Sequence, residues 1–177
     1  MKKKIIFLSF GLIIFISVIW ISIHIVNSGK FTKWSHTTAL EDHFNNGEAM
    51  YLGYNFSWEG IGRPTLKQIE FIKKDGTSIT QDSDGFQIQP YIEISPDGNF
   101  IGTMDESTVK NEGLINNLIP FEDFEVDGDF RVVLKVKFQG INTDDDISMV
   151  KITYKKFGVT HNQNISFDDG ILMEKTN

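Results

Sequence analysis

From Met50 the chain alternates with a period of two. Met50, Leu52, Tyr54, Phe56 and Trp58 put large apolar side chains on one face, with Tyr51, Gly53, Asn55 and Ser57 on the other. Successive strand residues point to opposite sides, so this pattern predicts a half-buried strand. Gly60-Ile61-Gly62-Arg63-Pro64 stops it, because two glycines and a proline interrupt a ladder. Leu66 to Lys74 reads as the next strand, and Asp75-Gly76 as a hairpin turn into Thr77–Thr80. Gln87 to Ser95 is a further strand. Pro90 removes a backbone donor from it, which places that strand at a sheet edge or a bulge. Ser95-Pro96-Asp97-Gly98 is a turn by composition, and Asn99 to Thr103 returns from it.

The clearest alternation is Phe130, Val132, Leu134, Val136 and Phe138, interleaved with Arg131, Val133, Lys135, Lys137 and Gln139. Ile147 to Lys156 follows after an acidic loop. Gly158 ends that strand, and Asn164–Phe167 and Gly170–Met173 complete the set. Residues 104–128 are the least regular, with a helical turn near Leu114–Leu118 and apolar residues expected to close one end of the core. Short strands at this spacing, each bounded by turn chemistry, predict an all-β domain. An immunoglobulin-like β-sandwich is the expected architecture.

The N-terminal pattern is different. The 22 residues from Ile5 to Val26 are apolar on every face and carry no formal charge. A helix of that length is roughly 33 Å long, enough to cross a hydrocarbon core of about 30 Å. Lys2, Lys3 and Lys4 precede it, which favours a cytoplasmic N-terminus. Trp20 and His24 fall toward the far end, where amphipathic rings reach the interface. The expected organisation is a basic tail at 1–4, a transmembrane signal-anchor helix at 5–26, a polar connector at 27–48 and an extracytoplasmic domain at 49–177. The run exceeds the 7–15 residues of a signal-peptide core, which favours an uncleaved anchor. The alternative is cleavage near Ser28 and secretion. Within the connector, Thr38 and Glu41 have capping-box spacing for a short helix to Phe44.

Charge and composition narrow the function classes. After residue 26 there are 14 basic and 24 acidic residues, a net of −10. Nucleic acid would be repelled by such a surface and is not expected as a partner. The absence of cysteine excludes a disulfide scaffold, thiolate metal ligands and a cysteine nucleophile. Arginine occurs twice, at Arg63 and Arg131, against 15 lysines, a usage common in AT-rich bacterial genomes.

Candidate chemistry is sparse. Asp144, Asp145 and Asp146, preceded by Asn142, form an oxygen-rich loop of the kind that hard cations such as calcium prefer. Asp82/Asp84 and Asp127/Asp129 are shorter clusters. None matches the twelve-residue calcium loop. His36 and His43, with Glu41 and Asp42 between them, are metal-ligand types, but two helical turns separate the imidazoles. His161 is the only histidine of the strand-rich region and is expected in a loop. No Gly-x-Ser-x-Gly elbow accompanies it. No cofactor is implied. The expectation is a membrane-anchored, non-enzymatic domain of a bacterial cell envelope that binds another protein. Its contact candidates are Gly60, Gly62, Arg63, Pro64 and Pro90. The alternatives are a calcium- or small-ligand-binding envelope domain and a cell-wall hydrolase.

Overall fold

The computed structural model of the chain describes residues 2–44, 47–79, 86–138, 146–168 and 170–173. Helix α1 runs from Lys2 to Asn27. Its stretch Ser9–Asn27 is long and apolar enough to cross a membrane, and none of it is buried against the rest of the chain. Two residues later the chain enters β1, Lys30–Lys33. The remainder is mostly strand: β2 (Met50–Glu59), β3 (Thr65–Lys73), β4 (Phe86–Glu93), β5 (Thr103–Asp105), β6 (Leu118–Pro120), β7 (Asp129–Phe138), β8 (Ile147–Lys156) and β9 (Val159–Ser166). Between β5 and β6 lie a short helix α2, Glu106–Asn111, and a 3₁₀ turn, Leu114–Asn117.

These strands form two antiparallel sheets. The larger has the order β1-β2-β7-β4-β6, with β5 sharing the β1 edge of β2, and the smaller has the order β3-β8-β9. Their facing sides bury one apolar core, so the domain is sandwich-like. Leu52, Tyr54 and Phe56 of β2 and Val132, Leu134 and Val136 of β7 meet residues of the second sheet such as Phe71, Val150 and Ile152. The alternation read from the sequence is thus the inward set of each strand. Phe31 of β1 joins this core, its ring 4.9 Å from Trp58 and 5.0 Å from Tyr154. The stretch 27–48 also contributes a parallel bridge between Ala39 and Leu172. Its short helix is a 3₁₀ turn, Glu41–Phe44, beginning later than capping by Thr38 would place it.

Four local readings change. The chain after Asp75-Gly76 makes a single bridge, Ile72 to Ser78, and Thr80 lies outside the described residues. The return after Gly98 does not pair with β4; it crosses the outer face of the large sheet and pairs as β5 with β2. Leu114 does not close an end of the main core. It joins Tyr51, Ile101, Val109 and Val133 in a second, smaller cluster on that outer face. His161 is in a strand, opposite Tyr154, because the tight turn at Phe157-Gly158 lets β9 begin at Val159. Both turn residues have positive φ, 49° and 82°, as a two-residue hairpin requires.

Candidate functional site

The junction between α1 and the sandwich brings several sequence features together. Every helix ends with carbonyls that lack intrahelical partners and carry partial negative charge. Here the Ser28 hydroxyl donates to the Ile25 carbonyl at 2.8 Å, and Lys156, the last residue of β8, supplies a further donor from the sandwich. Its Nζ donates to the Ile25 carbonyl at 3.2 Å and to the Ser28 carbonyl. The same ammonium lies 5.2 Å from the Trp58 ring centroid and 5.7 Å from that of Phe157. Only 1% of Lys156 is exposed, and burial pushes its pKa below the ordinary lysine value. A buried cation held by two carbonyls and two aromatic faces ties the end of the helix to the second sheet.

The Gly60–Pro64 loop lies at this junction. The register pairs Lys30 with Glu59, so the loop leaves β2 beside the start of β1. The Gly62 carbonyl accepts from Trp58 Nε1 at 2.8 Å. Gly62 also has φ +85°, and a Cβ there would lie 2.5 Å from Cζ of Phe157; the loop and the β8–β9 turn are in direct contact. Arg63 pairs with Asp127 at 2.6 Å and Glu125 at 3.6 Å, and the Pro64 carbonyl accepts from the Val126 amide at 2.9 Å.

Pro90 is not part of this constellation. It pairs with Leu134 in β7, in a strand separated from β2 by β7. Strand β6 covers only Tyr91–Glu93, so among the described residues the outer edge of β4 has no strand partner from Phe86 to Pro90. A proline there needs no donor, as the sequence anticipates.

Of the acidic triplet, Asp144 and Asp145 lie outside the described residues, as do Asn142, Asp82 and Asp84. Asp146 is buried. Its carboxylate accepts from the amides of Ile147 (2.7 Å), Ile171 (2.8 Å) and Leu172 (3.1 Å). Burial pushes its carboxyl above the usual range, against the pull of those donors. It binds the segment after β9 to the start of β8. No group of three or more metal-ligating side chains occurs among the described residues. The His161 ring stacks on Tyr154 at 5.2 Å, and its Nε2 is buried without a hydrogen-bond partner. His43, Glu48, Met50, Thr103 and Asp105 line an open groove of about 460 Å³ at the other end of β2 from the helix.

One polar cluster escapes sequence reasoning. Arg131 donates from Nε to Glu93 (2.8 Å), from Nη2 to the Ile101 carbonyl (2.6 Å) and from Nη1 to Asn55 Oδ1. Glu93 in turn accepts from the Ile101 amide at 2.8 Å, and Phe100 lies over the guanidinium at 4.7 Å. Gly53 leaves room for this loop, since a Cβ there would fall 2.0 Å from the Ile101 carbonyl oxygen. Outward positions on β4 and β7 are legible from the alternation; the crossing loop that buries them is not. The pair is structural, holding the 99–102 segment onto the sheet.

Comparison with protein-family models, with characterised proteins and with solved structures finds no match.

Proposed function

We propose that this chain is a single-pass membrane protein of a bacterial envelope. Its N-terminus is cytoplasmic, and its immunoglobulin-like sandwich stands on the outer side as a non-enzymatic module that binds another protein. The observation that carries this reading is the junction itself. An apolar helix of spanning length leads into β1 within two residues, and Lys156 fastens its end to the sandwich. A domain mounted in this way has a defined attitude to the membrane. The Phe86–Pro90 edge of β4 is then held in a fixed orientation for a partner, and main-chain pairing is one mode by which a sheet edge recruits an extended segment.

The natural lack of cysteine makes the test direct. On intact cells an impermeant maleimide is expected to label Ser107→Cys and to label Lys3→Cys only after permeabilisation. A photocrosslinking residue at exposed Gln89 is expected to give a discrete heavier adduct, absent when placed at exposed Lys155. Labelling of Lys3→Cys on intact cells overturns the orientation, and the lack of any adduct at Gln89 overturns the partner.

A further inference from the structure

The two loops beside the helix exit carry apolar side chains that the core does not use. Ile61 is 57% exposed, Phe157 55% and Val159 44%. Each lies on the loop or turn that the junction positions: Ile61 between Gly60 and Gly62, Phe157 next to Lys156, and Val159 directly opposite Lys156 in the hairpin. Because Lys156 holds the Ile25 carbonyl, these side chains stand level with the last turn of α1.

Phe157 is also costly where it is. A bulky residue at φ 49° is a conformational outlier, and this position of a two-residue turn favours Asn, Asp or Gly. The ring flanks Lys156 and packs on Gly62, yet more than half of the residue stays exposed at this strained position, and that exposed surface is available for a role outside the fold. Gly62 accommodates the ring, so two separate loops are shaped around it. The nearby cations Arg63 and Lys30 are matched by acids, with Lys30 at 3.4 Å from Glu59. Apart from exposed Lys155 near the end of β8, the unmatched surface of these loops is apolar.

We propose that Ile61, Phe157 and Val159 form a second membrane contact, seated in the interfacial layer of the leaflet in which α1 ends. This inference rests on the reading that α1 spans the membrane. The occupant is lipid because the patch is continuous with the end of an apolar span, where exposed Ile, Phe and Val side chains gain by burial at the boundary between headgroups and acyl chains. The domain therefore rests on the bilayer at two points, the helix and the tip, and is restrained from swivelling about a single tether.

The test uses the full chain in phosphatidylcholine vesicles, whose headgroups carry no net charge. Nitroxide labels are placed singly at Val159→Cys, at Phe15→Cys within α1 and at Ser107→Cys on α2. Oxygen collisions are expected to exceed those of a water-soluble nickel chelate at Val159 and Phe15, with the reverse at Ser107. Adding Phe157→Asn, which supplies the residue the turn prefers, is expected to shift the Val159 ratio toward that of Ser107 while the hairpin is retained. An aqueous ratio at Val159 with an immersed Phe15 overturns the tip contact and leaves the anchor standing. An aqueous ratio at Phe15 overturns the anchor, and the tip contact with it. No shift with Phe157→Asn removes the aromatic ring from the mechanism and overturns the proposal as stated.

Discussion

The inner face of the large sheet meets β3, β8 and β9 through apolar side chains, whereas its outer face is covered by a crossing loop held by charge and backbone. Leu52, Phe56 and Leu134 on the inside make hydrophobic contacts only. On the outside, Glu93 and Arg131 grip both the amide and the carbonyl of Ile101, and the apolar cluster around Tyr51 and Val109 is small. Dispersion and burial tolerate many partners of similar shape. A buried ion pair requires both partners and every hydrogen bond. The two faces should therefore fail in different ways.

Chemical denaturation of the full chain in detergent separates them. Phe56→Ala on the inner face is expected to cost about 4 kcal/mol, the usual range for deleting a buried aromatic. Arg131→Met strands the Glu93 carboxylate and is expected to cost about 3 kcal/mol. Adding Glu93→Met should recover much of that loss, since removing both partners of a buried pair is far milder than removing one. If the double variant is no more stable than the single one, the outer face depends on packing and the contrast disappears.

Asp146 gives a smaller effect. Asp146→Asn turns an amide NH₂ toward backbone donors and is expected to cost about 1–3 kcal/mol. Burial raises this carboxyl in the folded state. Its contribution is therefore present at acid pH and lost as pH rises through the raised value.

The cover of the outer face has the opposite sign. Asp105 caps α2, accepting from the Thr108 amide at 2.7 Å and from Ser107, and its carboxyl is lowered to about 2. Glu106 is lowered to about 2 by Lys110 and Lys135. Their stabilisation is present above the ordinary carboxylate range near pH 4 and lost as pH falls toward the depressed values. Acidification from about pH 5 to about pH 2.5 is expected to lower the unfolding midpoint of the wild type by more than that of Asp105→Asn/Glu106→Gln. Equal losses would detach these carboxylates from the stability of the cover.

The same contrast explains what was legible in the sequence. β2, β7 and β8 announce themselves because their core-facing residues recur at every second position along most of each strand, even where the other face is also covered. The turn at Asp75-Gly76, though not the extent of the strand after it, and the Pro90 strand are read correctly because their chemistry is local. Helix α2 is missed: six residues with only Val109 buried leave almost no periodic signal, although Asp105 before Glu106-Ser107-Thr108 is a capping pattern. The strand at His161 is missed because Phe157 disguises a tight turn. The Arg131–Glu93 pair is likewise invisible, since its burial is created by residues far along the chain. At the junction, the Gly60–Pro64 loop is recognisable as special, but its neighbour Lys156 looks like an ordinary strand-end lysine until the two sheets are folded together.

The segment after β9 has a bearing on biosynthesis. Ala39 donates to the Ile171 carbonyl at 2.9 Å and its own carbonyl accepts from the Met173 amide at 2.9 Å, so the first and last parts of the domain zip against each other. Asp146 secures the same residues from the other side. In a chain synthesised from its N-terminus, residues near 39 emerge early and wait for residues near 172. The pairing at Ala39 can form only once residues 171–173 have been made, so this closure of the sandwich is a late event in its folding.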